Sequence, residues 1–164
     1  YEGNFEDFIS IYTNRTHNNN DFMNPYECST LYFYAETLED CLDENLVIPA
    51  TYENKPVLEI GEYSFRDRTD IKSVVIPQSV KVVKSGAFYD CSNLEKIVFW
   101  NNSKLEEIQY DAFAKTKIQS ITIPKSVKVI GMYAFSYCEN LASITIPENI
   151  THIGGAAFSK NSCG

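Results

Sequence analysis

Two histidines, five cysteines and one short acidic turn are the residues of this chain whose side chains could do catalytic or metal chemistry. His17 lies in the polar run TNRTHNNND (residues 13–21), and His152 lies far along the chain. Neither has Cys, Ser or Asp at the spacing that a zinc site or a nucleophile–base pair requires. Asp40, Asp43 and Glu44, in the turn EDCLDEN, offer carboxylates to a hard cation such as calcium. Their spacing matches no dedicated calcium loop, so a solvated turn is the expectation, and an enzyme would have to rest on the acidic residues 36–44 alone. The chain also lacks a Gly-rich phosphate loop and a Cys-x-x-Cys motif. No enzymatic activity, cofactor or metal is expected.

Five cysteines are an odd number, so at least one thiol is free or pairs outside the chain. Cys28 and Cys41 flank the aromatic stretch LYFYAETL, a candidate strand, and are the candidate disulfide; pairing and free thiols both remain open. Three Asn-x-Ser/Thr sequons, at Asn14, Asn101 and Asn149, are candidate glycosylation acceptors if the source has a eukaryotic secretory route.

Composition bounds the partners. No uninterrupted apolar run approaches the roughly 20 residues that cross a bilayer, so this segment is not expected to insert into a membrane. Residues 1–50 hold ten acidic residues and one basic one, a charge of −9, whereas residues 51–164 hold twelve acidic and thirteen basic residues, a charge of +1. Neither part has the clustered Lys/Arg excess that nucleic acid demands. The chain starts at Tyr1 with no initiator Met or signal peptide, as an excised or mature piece of something longer would.

The elements that must carry these residues repeat. Phe65, Phe88, Phe113, Phe135 and Phe158 recur at spacings of 23, 25, 22 and 23 residues, and a period in this range means a solenoid. Each unit opens with two apolar residues three apart: Val57 and Ile60, Val80 and Val83, Leu105 and Ile108, Val127 and Ile130, Ile150 and Ile153. A small residue precedes each Phe, at Ser64, Ala87, Ala112, Ala134 and Ala157, where coils about 4.8 Å apart leave little room. Each unit then closes on an LxxIxI strand, typified by Leu141, Ile144 and Ile146, which Pro77, Pro124 or Pro147 stops because proline cannot donate to a ladder. The Phe column is a core spine rather than a ligand-stacking stripe, since its period equals the repeat. Cys91 and Cys138 occupy equivalent positions two coils apart, about 10 Å, too far for a disulfide.

Three places break the unit. A degenerate entry coil, ending at Leu46–Pro49, is followed by five extra residues within ATYENKP. The second repeat carries Trp100 in place of proline and two extra residues after it, and the third is one residue short between Phe113 and Ile118. Before all of these, the cluster Phe5, Phe8, Ile9, Ile11 and Tyr12 either packs on the solenoid end or belongs to an upstream unit.

The pattern AFxxCxNLxxIxIPxSVxxI resembles the BspA-like, or treponemal-type, leucine-rich repeat family, over roughly residues 44–164, with residues 1–43 as an acidic N-terminal segment. Residues 134–150 match it almost completely, and Arg68, Thr116, Phe99 and Trp100 depart from it. The resemblance implies a right-handed solenoid, β-rich, with a concave parallel sheet and short convex strands or helical turns. It also implies a secreted or cell-surface protein used in adhesion or recognition, with a protein or glycan ligand, host-derived in the family's usual setting. Alternation along the strands turns two rows outward: Ser73, Lys96, Ser120 and Ser143, then Val75, Val98, Thr122 and Thr145. These rows, with Trp100 as an anchor at their edge, are the candidate binding surface. The alternative role is a structural spacer that stacks on further repeats or another subunit through its C-terminal end.

Overall fold

The computed structural model describes residues 44–52 and 54–162, together with the backbone of Ile9–Ile11. Within them lie twelve short strands and no helix, so the convex helical turns anticipated above are replaced by tight turns and two-residue strands. The chain is a solenoid of stacked coils in which every ladder but one is parallel.

Each coil contributes one LxxIxI strand: β2 (Asn45–Val47), β5 (Ser73–Ile76), β7 (Lys96–Phe99), β9 (Ser120–Thr122) and β11 (Ser143–Thr145). These form two ladders, β2-β5-β7 and β9-β11, rather than a single sheet. The break falls where the second repeat is too long and the third too short, so that the strands of those two coils cannot stay in register. The opposite wall is continuous. Here β4 (Lys55–Ile60), β6 (Val82–Val83), β8 (Glu107–Ile108), β10 (Val129–Ile130) and β12 (His152–Ile153) pair in sequence. The strand β1 (Ile9–Ile11) adds to the β4 edge, Ile9 opposite Val57 and Ile11 opposite Ile60, so this part of the N-terminal cluster pairs with the solenoid end.

The five-residue insertion in the entry coil folds as a hairpin. β3 (Thr51–Tyr52) runs antiparallel to the start of β4, and Asn54 takes the turn at a φ of 63°. Asparagine visits this left-handed region more readily than most residues because its side chain bonds locally.

A third wall, around the Phe column, carries its own ladder without being a strand. The Phe65 N–H donates to the Ala87 carbonyl, Phe88 to Ala112, Phe113 to Ala134 and Phe135 to Ala157, each at 2.8 Å. The residues two before and two after each of the first four Phe also donate to the next coil, as in Tyr63 to Ser85 (3.0 Å) and Asp67 to Tyr89 (2.8 Å). To aim these groups along the axis, both flanking positions adopt positive φ in every coil: Tyr63 and Asp67, Gly86 and Asp90, Asp111 and Lys115, Tyr133 and Tyr137, Ala156 and Lys160.

Inside the three walls, Phe65, Phe88, Phe113, Phe135 and Phe158 form one stack with centroids 5.0, 5.2, 5.4 and 5.6 Å apart and planes within 12° of parallel. The spacing is that of the coils, and offset stacks of this kind add roughly 0.5–1.5 kcal/mol per pair beyond burial. The first four opening apolar pairs are wholly buried, as is Leu141, whereas Ile146 at the close of the fourth unit and Ile153 in the last coil are 39% and 43% exposed.

Candidate binding surface

The strand ladders bring the expected rows into register. Ser73 stands opposite Lys96 and Val75 opposite Val98; Ser120 stands opposite Ser143 and Thr122 opposite Thr145. Because the inward partners Val74, Ile76, Ile121 and Ile123 are buried, the alternate residues turn out. Lys96, Ser120, Thr122, Ser143 and Thr145 are exposed, while Ser73, Val75 and Val98 are half-buried. The break between β7 and β9 divides each row into two parts.

Sequence reasoning missed the first member of each row. Asn45 pairs with Ser73 and Val47 with Val75 in β2, the Asn45 carboxamide oxygen accepting from the Ser73 hydroxyl at 2.7 Å. Val47 is 57% exposed. The signal was present in the ending Leu46–Pro49, which aligns with the later strands. Lys96 is the one charged side chain of these rows, so their chemistry is that of hydroxyls and small apolar groups.

Trp100 sits where other coils have proline, and it is 49% exposed. Its N–H donates to the Ile76 carbonyl at 3.1 Å, a bond that proline could not make. Its carbonyl accepts from Ser103 N–H at 3.1 Å, closing the inserted turn, in which Asn102 has a φ of 59°. Asn101 is exposed in the same turn, and Asn149 is exposed with its amide nitrogen donating to the Lys125 carbonyl at 2.5 Å. Asn14, Cys28 and Cys41 lie outside the described residues, as do His17, Asp40 and Asp43. Glu44, the described end of the acidic turn, forms an ion pair with Lys72 at 2.8 Å.

The position three after each Phe is a hydrogen-bonding column. The Cys91 thiol donates to the Phe65 carbonyl of the preceding coil (3.0 Å), and Cys138 makes the same contact with Phe113 (3.2 Å). Thr116 takes the thiol's place, but its hydroxyl donates to the Phe113 carbonyl of its own coil at 3.0 Å. Asn161 accepts from the Cys138 N–H at 3.0 Å. Burial pushes the Cys91 thiol up to about 12, so it is a packing group, not a nucleophile. At Arg68 the column becomes charged: burial acts to raise the Asp70 carboxyl, but the two Arg68 hydrogen bonds at 2.7 and 2.5 Å and its charge hold Asp70 below its ordinary value.

A second exposed surface lies on the Phe turns. The Arg66 guanidinium stands over Tyr63 (5.5 Å) and Tyr89 (5.0 Å), Lys115 over Tyr89 (4.8 Å), and Tyr110 meets Tyr133 edge-on (5.9 Å). The Asp111 charge, with burial behind it, raises the Tyr110 hydroxyl. No periodic residue type marks these positions, so only the fold could gather them. No group of three or more His, Cys, Asp or Glu side chains converges among the described residues, and no helix among them is long and apolar enough to cross a membrane.

Comparison with known proteins agrees with this geometry. A leucine-rich repeat protein from T. pallidum superimposes with a TM-score of 0.68 at 30% identity over 72% of this chain; the chain spans 55% of that protein's resolved length. A leucine-rich repeat protein from Bacteroides capillosus has a TM-score of 0.53 and 32% identity, with 62% of this chain and 75% of that one covered. The pneumococcal vaccine antigen PcpA, at 23% identity and a TM-score of 0.60 over 71% of this chain and 38% of its own, shares the fold. No curated protein matches the chain. The model for the BspA-type leucine-rich repeat region matches six copies across residues 58–163, and with the stacked Phe column and the parallel ladders this establishes that the chain belongs to the BspA-type leucine-rich repeat family.

Proposed function

We propose that this chain is a non-enzymatic recognition or adhesion module of a secreted or cell-surface protein. It binds a protein or glycan ligand through the outward strand rows and the Trp100 edge. The observation that carries this reading is the pair of ladders that present exposed Lys96 on β7 and, in register with one another, exposed Ser120, Thr122, Ser143 and Thr145 on β9 and β11, with a half-exposed tryptophan at the end of β7. Within each ladder the strands are hydrogen-bonded in register, and faces held in this way lose little entropy on binding. Tryptophan is among the residues that most often dominate binding energy. Immobilised protein screened against host matrix proteins and glycans should show micromolar or tighter binding, weakened by Trp100→Ala and by Thr122→Arg. Binding that survives both substitutions unchanged would rule out this face.

A second reading is a structural spacer that stacks on further repeats or another subunit, for which the coil-to-coil parallel ladders offer the pairing mode. Light scattering that finds only monomer across a wide concentration range would dispose of it.

A further inference from the structure

The inserted turn of the second repeat does more than display Trp100. It opens a shallow groove of ≈ 490 Å³ lined by Lys81, Ser103, Lys104, Glu106, Ser126 and Lys128. From this groove we propose an acidic-saccharide site: the three ammonium groups and the Ser126 hydroxyl hold sulfate or carboxylate groups, and Glu106 accepts from the sugar hydroxyls between them. The proposal deepens the recognition reading and rests on it, but places a contact away from the strand rows.

Three observations support the site. First, the Ser126 hydroxyl is shielded from solvent and lacks a hydrogen-bond partner. At the equivalent position of other coils the side chain reaches back to the preceding coil: Ser79 Oγ donates to the Ala50 carbonyl (3.1 Å), and the Asn149 amide to the Lys125 carbonyl (2.5 Å). The position equivalent to these acceptors is Asn101, inside the inserted turn Trp100–Ser103, and the Ser126 hydroxyl makes no bond to it. A buried hydroxyl without a partner is costly, and an oxyanion seated in the groove would satisfy it.

Second, the cations are unneutralised. Among the described residues Lys81, Lys104, Lys128 and Glu106 make no ion pair with one another or with any neighbour. Three positive charges against one negative converge on a part of the chain whose overall charge is close to neutral.

Third, the order of charges selects the ligand. The Glu106 N–H donates to the Lys81 carbonyl and the Lys128 N–H to the Glu106 carbonyl, both at 2.8 Å, so Lys81, Glu106 and Lys128 stand on successive coils. Lys81 and Lys128 are therefore about 10 Å apart along the axis. A ligand must present anions on either side of a hydrogen-bond donor. An acidic saccharide does this with its hydroxyls, whereas a run of carboxylates on an acidic peptide would face Glu106.

Titration of the full chain with a heparin-derived octasaccharide, neutral dextran of the same length and a poly-glutamate peptide tests the assignment. The octasaccharide should bind with an affinity that falls by at least about tenfold between roughly 50 and 200 mM salt, as neutralisation of several anions requires. The combined variant Lys81→Ala, Lys104→Ala, Lys128→Ala should lose at least about tenfold in affinity, and Ser126→Ala severalfold, whereas Lys117→Ala should bind as the parent does. Thermal unfolding of each variant separates loss of the site from loss of the fold. Absence of octasaccharide binding, binding unchanged in the triple variant, or equal affinity for poly-glutamate would overturn the proposal. If a ligand of the strand rows is lost in Thr122→Arg but kept in the triple lysine variant, the recognition module stands without this site.

Discussion

At the scale of single residues, most of the informative positions are those where one coil departs from the others. Ser64 occupies the slot that holds alanine in the four later coils; it is 3% exposed and its hydroxyl has no partner. The surrounding wall has been closed for a methyl group, so the oxygen is buried with nothing to bond. Ser64→Ala should stabilise the protein by about 1 kcal/mol, read as a higher denaturant midpoint with an unchanged slope. Arg68 departs from the cysteine column in the opposite sense, because it brings its own partner. Asp70 has a lowered folded-state pKa, so its contribution is present above its ordinary value of 3.8 and is lost as pH falls through the lower folded value. Arg68→Ala should therefore cost about 0.5–1 kcal/mol at neutral pH, discounted for the partial exposure of the pair. The difference from the parent should vanish in denaturation measured well below pH 3.8.

At the scale of the coil, the Phe turn decides which substitutions the repeat tolerates. Its left-handed positions are occupied by Tyr, Asp, Lys and Ala as well as by Gly86, so positive φ alone does not demand glycine here. Gly86 is different because a Cβ there would meet the Tyr63 ring at 2.3 Å. Gly86→Ala should destabilise by about 1–3 kcal/mol, and most of that loss should disappear when Tyr63→Ala is made as well. A double-mutant cycle that shows no coupling would mean that the backbone, not the ring, sets the requirement. Gly131 and Gly154 are restricted more severely, since a Cβ at either would meet backbone atoms of the previous coil at 2.6 and 2.2 Å. This restriction belongs to the last two coils, since the same position, four residues before the Phe, holds Lys84 and Gln109 in the second and third repeats.

At the scale of the molecule, each described coil touches its neighbours alone, so stability follows position along the axis. The central Phe88, Phe113 and Phe135 are covered on both faces by other rings, while Phe158 at the end is half-buried. Amide exchange should accordingly be slowest at residues 83–135 and become faster through β12 to residue 162. Phe113→Ala should cost about 3–5 kcal/mol, with Phe158→Ala well below it, in equilibrium unfolding. Uniform protection from end to end would show instead that the stack unfolds as one unit. The same linear arrangement offers long ladders of similar groups along one axis.

The repeat, its inward residues, the solenoid class and the outward rows were legible in the sequence, because an amphipathic period of about 23 residues can close only by stacking each coil on the next. The Phe spine, the inert Cys91 and Cys138 and the proline-ended strands followed from the same period. Other features were decided by tertiary structure alone. Coil-length mismatches that look local in the sequence split the strand face into two ladders, since register depends on the summed length of each turn. The paired left-handed positions around every Phe carry no residue signature, because the hydrogen bonds to the next coil impose their backbone geometry on whatever side chain is present. The gathering of Lys81, Lys104, Lys128 and Ser126 around the inserted turn likewise appears only when residues 22 to 25 apart are brought within one coil spacing of each other.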